Sequence, residues 1–163
     1  MKAASTFGNA RVVVRGHSDP TKTLLDFIRA GIAKGVIKQT GVAPNYRYFY
    51  RDQPLDLSNI KEVVRLIETG NLGGGKDDPI VTMQAAMNLS LARAQKVKDS
   101  LVAFAKSKGA TVDLSQITPV GAGILEPVIA KPKNIQEAKE NMRVEFRIVK
   151  VDPETIAPTD FNF

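Results

Sequence analysis

Apolar and polar positions change period several times along the chain, and each change marks an element. Residues 11–16 read Arg-Val-Val-Val-Arg-Gly. Three consecutive Val predict a strand buried on both faces and ended by Gly16. His17-Ser18-Asp19-Pro20 predicts a turn, because Asp supports Asx-turns and Pro20 cannot extend a strand. Leu24, Leu25, Ile28 and Ile32 recur at helical spacing, which predicts a helix over 22–34 closed by Gly35. Residues 36–39 and 46–50 read as two short strands, joined as a hairpin by Gly41 to Asn45. Ser58 is the expected cap of a helix over 59–69, with Ile60, Val63, Val64 and Ile67 as its stripe. Gly70 to Lys76 reads as a flexible connection.

Asp78 and Pro79 then suit the cap and first position of a long helix. It runs unbroken to about Lys108, with Met83, Met87, Ala94, Val97, Leu101 and Ala105 on one face, and Gly109 ends it. Residues 117–120 predict a short strand, 121–127 a loop, and 134–140 a short helix. From Met142 to Val151 the pattern alternates. Val144, Phe146 and Ile148 fall on one side and Arg143, Glu145 and Arg147 on the other, which predicts a strand with one buried face. The tail, 152–163, reads as surface chain. No repeat is visible.

Composition narrows the function classes. The 163 residues carry 43% hydrophobic and 25% charged positions, which fits a globular chain of about one domain. No apolar run approaches the ~18 residues of a membrane span. The absence of Cys excludes a disulfide scaffold, a thiolate zinc site and a thiol nucleophile, and one His excludes a multi-His metal centre. No cofactor or metal is implied. The net charge of +6 permits anionic partners. It is dispersed along the chain. Its densest portion, Arg93, Lys96, Lys98, Lys106 and Lys108 on the long helix, reads as a solvated face. Tyr46-Arg47-Tyr48-Phe49-Tyr50-Arg51 interleaves aromatic and basic residues as a weak platform for single-stranded nucleic acid would. A hairpin packed on its neighbouring helices is the preferred reading, so no nucleic-acid partner is expected. Met1 to Phe7 lacks the apolar core of a signal peptide. The chain is therefore expected either to work in the cytoplasm or to be a piece of something longer.

Three motifs mimic chemistry. Gly70-Asn71-Leu72-Gly73-Gly74-Gly75-Lys76 matches the start of a phosphate-binding P-loop, but Asp77 stands where Ser or Thr must reach Mg²⁺, and a helix precedes it instead of a strand. Asn88-Leu89-Ser90 is a glycosylation sequon placed inside a helix. His17-Ser18-Asp19 has triad residue types in direct succession, and such neighbours cannot converge on one atom. No catalytic residue is assigned.

The informative constellation is long-range. A buried strand ends in Gly16-His17-Ser18-Asp19. A helix carries Leu89-Ser90-Leu91-Ala92-Arg93-Ala94 and Val97. Then come Gly121-Ala122-Gly123 with Pro127, and Asn141-Met142-Arg143-Val144-Glu145 before the last strand. Four segments in this order resemble the OmpA-like peptidoglycan-binding domain, over residues 9–19 and about 83–151. The resemblance implies an α/β fold, an α+β sandwich of βαβαββ type with a mixed sheet and helices on one face. It divides the chain into an OmpA-like module (1–19 and 83–151), an inserted helix–hairpin–helix subdomain (20–82) and a tail (152–163).

The resemblance also implies a non-enzymatic function, non-covalent binding of the diaminopimelate in the peptidoglycan stem peptide, so that a larger cell-envelope protein is anchored to the wall. Asp19 and Arg93 map onto the family's binding pair. A fixed carboxylate suits the ammonium of diaminopimelate, and a guanidinium can grip its carboxylate with two parallel hydrogen bonds. The plainer alternative is that Asp19 and Arg93 pair only with each other. Asn141, Arg143, His17 and Ser18 would support the pocket or touch the peptide. The implied location is the periplasm, with membrane attachment only through parts outside this sequence. The alternative function is an envelope protein–protein interaction module that keeps the scaffold and works through its insertion.

The chain also departs from the family pattern. Ala86 stands where the family has Asn, Met142 where it has Arg, and Ser18 where it has Thr. The family joins its Asp turn to the helix by a short connection, whereas residues 20–82 intervene here. Tyr48 and Arg51, with Tyr46, Arg47 and Tyr50 beside them, are candidates for extra contacts from that insertion. The family's first strand and most of its first helix have no counterpart before Arg11. This leads to the expectation of a C-terminal fragment with an exposed strand edge, open to homodimerisation or strand exchange.

Overall fold

A computed structural model describes residues 10–150 and shows a mixed α+β chain. In order it runs β1 (Ala10–Gly16), α1 (Thr21–Ala33), β2 (Ile37–Thr40), β3 (Arg47–Tyr50), β4 (Gln53–Leu55), α2 (Ile60–Thr69), α3 (Pro79–Ser107), a 3₁₀ turn (Leu114–Gln116), β5 (Ile117–Gly121), α4 (Ile135–Asn141) and β6 (Val144–Lys150). One sheet has the order β5-β1-β6, with β1 parallel to β5 and antiparallel to β6. The other is an antiparallel meander, β2-β3-β4. The parallel pair needs a long crossover, and everything from α1 to α3 lies within it.

The packing divides between two unequal cores. Side chains of residues 20–82 form the larger one, including Leu24, Phe27, Ile37, Ile60, Val63, Ile67 and Leu72. Ile124, from the loop after β5, is buried in the same cluster, so that loop is packed onto this segment. The smaller core, between α3 and the sheet, is Ala94 of the helix against Val14 and Ile117, with Val12, Val97, Leu101 and Val144 around it. Helix α3 lies across β5 and β1 and barely reaches β6.

That placement depends on two glycines. A Cβ on Gly16 would sit 1.9 Å from the Ser90 carbonyl oxygen, and one on Gly121 would sit 2.7 Å from Ser90 Oγ. Only glycine lets both strand ends lie this close under a helix.

Several expectations are corrected. Phe146 is 55% and Ile148 63% exposed, so the face expected to be buried on the last strand is largely open beyond Val144. The reason is the course of α3, which leaves β6 uncovered. The cap of α2 is Asn59, whose Oδ1 accepts from Glu62 N at 3.2 Å. Ser58 instead donates its hydroxyl to Asp56 at 2.6 Å. Within the expected connection 70–76, residues 71–74 make defined contacts. Leu72 is 1% exposed, Lys34 Nζ donates to the Asn71 and Gly73 carbonyls, and Gly74 N donates to Asp78. Strand β4 was not expected, because its three residues include Pro54, which sits opposite Phe49 on the sheet edge. Asp78 caps α3 as expected, accepting from Ile80 N and Val81 N, with Pro79 in the first turn. The tail 152–163 lies outside the described residues. Among the described residues β6 is paired on one side only, and no helix is long and apolar enough to cross a membrane.

Candidate functional site

Strand β1 delivers the turn Gly16 to Pro20 into a lattice of backbone hydrogen bonds. Ala122 N donates to the Gly16 carbonyl at 2.8 Å, His17 N to the Arg143 carbonyl at 2.9 Å, and Ser18 N to the Gly123 carbonyl at 2.8 Å. The turn is thereby tied to the loop after β5 and to the entry of β6. Ser90, fully buried on α3, locks the same loop from the other side. Its Oγ accepts from Gly123 N at 2.9 Å and donates to the Met87 carbonyl at 2.7 Å.

Asp19 is held at both oxygens. Thr21 N donates to Oδ1 at 3.0 Å, which starts α1, and Asn141 Nδ2 donates to Oδ2 at 2.8 Å. Asn141 is itself fully buried, and closes a two-way bond with the backbone of Ile129: Nδ2 donates to its carbonyl at 2.8 Å and Oδ1 accepts from its N–H at 2.9 Å. Arg93 reaches across from α3. Its Nη1 donates to the His17 carbonyl at 3.1 Å and to Ser18 Oγ at 3.4 Å. Ser18 in turn donates its hydroxyl to the Ala86 carbonyl at 2.9 Å.

Asp19, Arg93 and Ser18 line one cavity of about 280 Å³. Its other walls are apolar (Ala85, Ala86, Leu89, Met142) or hydroxyl-bearing (Thr23, Thr82), with Lys22 at the margin. Lys22 is occupied by the buried Asp26, at 2.5 and 2.7 Å. Among the described residues neither Asp19 nor Arg93 belongs to an ion pair, with each other or with anything else. The two opposite charges are oriented by neutral partners and face a shared space.

The remaining sequence candidates stand elsewhere. Asn141 lies behind Asp19 and positions it. Arg143 is outside the cavity lining. It donates from Nε to Glu145 at 2.7 Å and from Nη2 to the Glu126 carbonyl at 3.2 Å. His17 is 1% exposed, and its two ring nitrogens have no hydrogen-bond partner. Nε2 lies 3.7 Å from Glu145 Oε2. Burial, and then the nearby Arg143 charge, push its pKa down from the usual histidine value. Tyr48 and Arg51 are not brought together. Tyr48 lines a groove beside α1, and Arg51 lines a separate cavity of about 510 Å³ with Arg65 and Glu62.

A charge lattice behind the turn escaped the sequence analysis. Arg15 grips Glu126 with two bonds, at 3.0 and 2.8 Å, and Arg147 bridges Glu126 and Glu145 at 3.0 and 2.9 Å. Hydrogen bonds from Arg147, then Arg143, hold the Glu145 carboxyl at about 2. The alternation Arg143, Glu145, Arg147 was visible, but its partners Arg15 and Glu126 come from other strands and loops. Among the described residues no cluster of three His, Asp or Glu side chains is placed to ligate a metal. Comparison of the chain with family models, with curated proteins and with solved structures finds no match.

Proposed function

We propose that the chain is a binding module that holds the diaminopimelate of a peptidoglycan stem peptide in the cavity between Asp19 and Arg93, and that it resembles the OmpA-like domain in doing so. The observation that carries the reading is the pair of pre-oriented, oppositely charged groups on one cavity, neither with an ion-pair partner among the described residues. Diaminopimelate carries an ammonium and a carboxylate on one carbon. Asp19 offers a carboxylate to the first, and Arg93 offers donors to the second. The apolar walls from Ala85, Ala86, Leu89 and Met142 suit its methylene chain. Ala86 and Met142 replace polar residues of the family pattern, and here they form wall surface; Ala86 also contributes the carbonyl that accepts from Ser18.

The ion-pair alternative for Asp19 and Arg93 has no support in their contacts. Each is instead held as a site residue needs to be, by groups that are themselves fixed. In this reading the module works in the periplasm and ties the protein that carries it to the wall. Sedimentation with purified peptidoglycan tests it. The wild type is expected in the pellet, and Asp19→Asn and Arg93→Gln in the supernatant, each folded by circular dichroism at the assay temperature though less stable by about 1–3 kcal/mol through the hydrogen bonds lost. Equal pelleting of wild type and both variants would overturn the assignment.

A further inference from the structure

An open groove of about 890 Å³ lies between α1, the β2–β3 hairpin and residues 131–133. Thr21, Leu24, Leu25 and Ile28 supply its floor. These positions recur at helical spacing on one face of α1. Lys22 and Thr23, which line the Asp19–Arg93 cavity, fall on the opposite face. The two cavities therefore lie on either side of the first turn of a single helix.

The walls have a definite chemistry. Tyr46 is 42% exposed, and its ring stands 6.5 Å from that of Tyr48 at an interplanar angle of 58°. Arg47, Lys131 and Lys133 stand around these rings, with Asp56 as the one acid. Aromatic faces among hydrogen-bonding heads suit a ligand that alternates apolar faces with polar edges. The surplus of cations suits one that also carries carboxylates.

We infer that this groove takes the glycan strand of the same wall polymer, adjoining the stem peptide held by Asp19 and Arg93; the inference rests on the function proposed above. Pyranose rings present C–H faces to aromatic rings and hydroxyl and amide edges to charged heads. The spacing agrees. A helix with its side chains is about 10–12 Å across. The two stem residues between diaminopimelate and the sugar span roughly 7 Å when extended, and the lactyl link adds the rest. One of those residues carries a carboxylate, which would pass the basic rim.

Continuity with the cavity is built into one side chain. Asn141 bonds Asp19 on one side and the backbone of Ile129 on the other, at the base of the segment that supplies Lys131 and Lys133. A single buried amide thus links Asp19 to the segment that leads into the rim of the groove.

Calorimetric titration of the full chain with three probes tests this: a diaminopimelate tripeptide stem, the same stem on its disaccharide, and an N-acetylglucosamine oligomer. The wild type is expected to bind the disaccharide-bearing stem about tenfold tighter than the bare stem, about 1.4 kcal/mol. The exposed-residue variants Tyr46→Ala and Lys133→Ala should lose that advantage and keep the affinity for the bare stem. Equal wild-type affinity for the two stems would overturn the groove inference and leave the Asp19–Arg93 site standing. No binding of the bare stem would overturn the site. The sugar oligomer would then decide the groove alone, supporting it if binding depends on Tyr46 and overturning it if there is none. Competition by a glutamate-rich peptide as strong as that by the disaccharide-bearing stem would also overturn it, in favour of a protein partner.

Discussion

The two regions of this chain are stabilised by different means. Residues 20–82 bury a broad apolar cluster around Phe27, Val63 and Ile67. Between the three-stranded sheet and α3, among the described residues, the buried core is Val14 and Ile117 of the sheet with Ala94 of the helix. Yet the sheet carries the candidate site. Its residues are placed mainly by hydrogen bonds and close backbone approach: Gly16 and Gly121 under Ser90, Ser90 to Gly123, Asn141 to Asp19, and Arg93 to the His17 carbonyl. A cluster of apolar groups is tolerant of small shifts, whereas a lattice of directional bonds is not. The comparison teaches that stability and site geometry draw on different groups here, although Ile124 from the loop after β5 and Met83 and Ala86 of α3 tie the site's surroundings to the larger cluster.

The largest expected effect breaks the insertion. Phe27→Ala removes a fully buried ring and should cost about 3–5 kcal/mol in urea denaturation. Because Ile124 is shared, near-UV and far-UV signals should fall together. A sheet that stays folded after the insertion melts would contradict the shared core. Next comes Gly16→Ala. Its new Cβ meets backbone and not a flexible side-chain end, so α3 must lift from β1, at about 3 kcal/mol or more. Ligand binding should be lost with it.

Ser90→Ala sharpens the comparison. It leaves Gly123 N without its partner and should cost about 1–3 kcal/mol. It should also weaken stem-peptide binding, whereas an equally costly core change in the insertion, such as Ile67→Val, should leave binding nearly intact. Measuring both affinities at a temperature where both variants are fully folded checks this.

Acid should act on the sheet in two stages. His17 has a lowered folded pKa, so the unfolded chain binds more protons as pH falls through the usual histidine value. Stability present above about 6.5 is therefore lost below it. Glu145 is lowered from 4.5 to about 2, so its contribution is present above 4.5 and fades between 4.5 and 2. A urea-midpoint profile against pH should show both limbs. His17→Gln should remove the upper one, and Glu145→Gln should diminish the lower, to which Glu126 and Asp78, also held below their usual values by hydrogen bonds, contribute as well. The smallest effect belongs to the insertion's surface. Arg51 and Asp52 take positive φ angles of 47° and 64° in the β3–β4 turn. Arg51→Asn should raise stability by about 0.5 kcal/mol with stem-peptide binding unchanged.

Much of this was legible in the chain. The three Val of β1, the α1 spacing, the Asp78-Pro79 start of α3 and the alternation of β6 all reported local structure through their period. What failed was the covering of β6, because Val144, Phe146 and Ile148 show a face but not whether a helix lies on it. At the site, Asp19 and Arg93 stood out through their place in a four-part pattern. Ser90 stood in the same pattern, but its hydrogen bond to Gly123 could not be read from it. The charge lattice of Arg15, Glu126, Glu145 and Arg147 joins elements far apart in sequence, which periodicity does not relate.

The central claim is that Arg93 and Asp19 divide a zwitterion between them. Its most direct test is calorimetric titration with two stem tripeptides, one ending in diaminopimelate and one in lysine, which lacks the second carboxylate. A charge-assisted contact of about 1.5–3 kcal/mol corresponds to roughly 10–150-fold in affinity. The wild type should prefer the diaminopimelate peptide by that factor, and Arg93→Gln should bind both peptides equally weakly. A wild type that binds the two alike, or an Arg93→Gln variant that keeps the preference, would contradict the account.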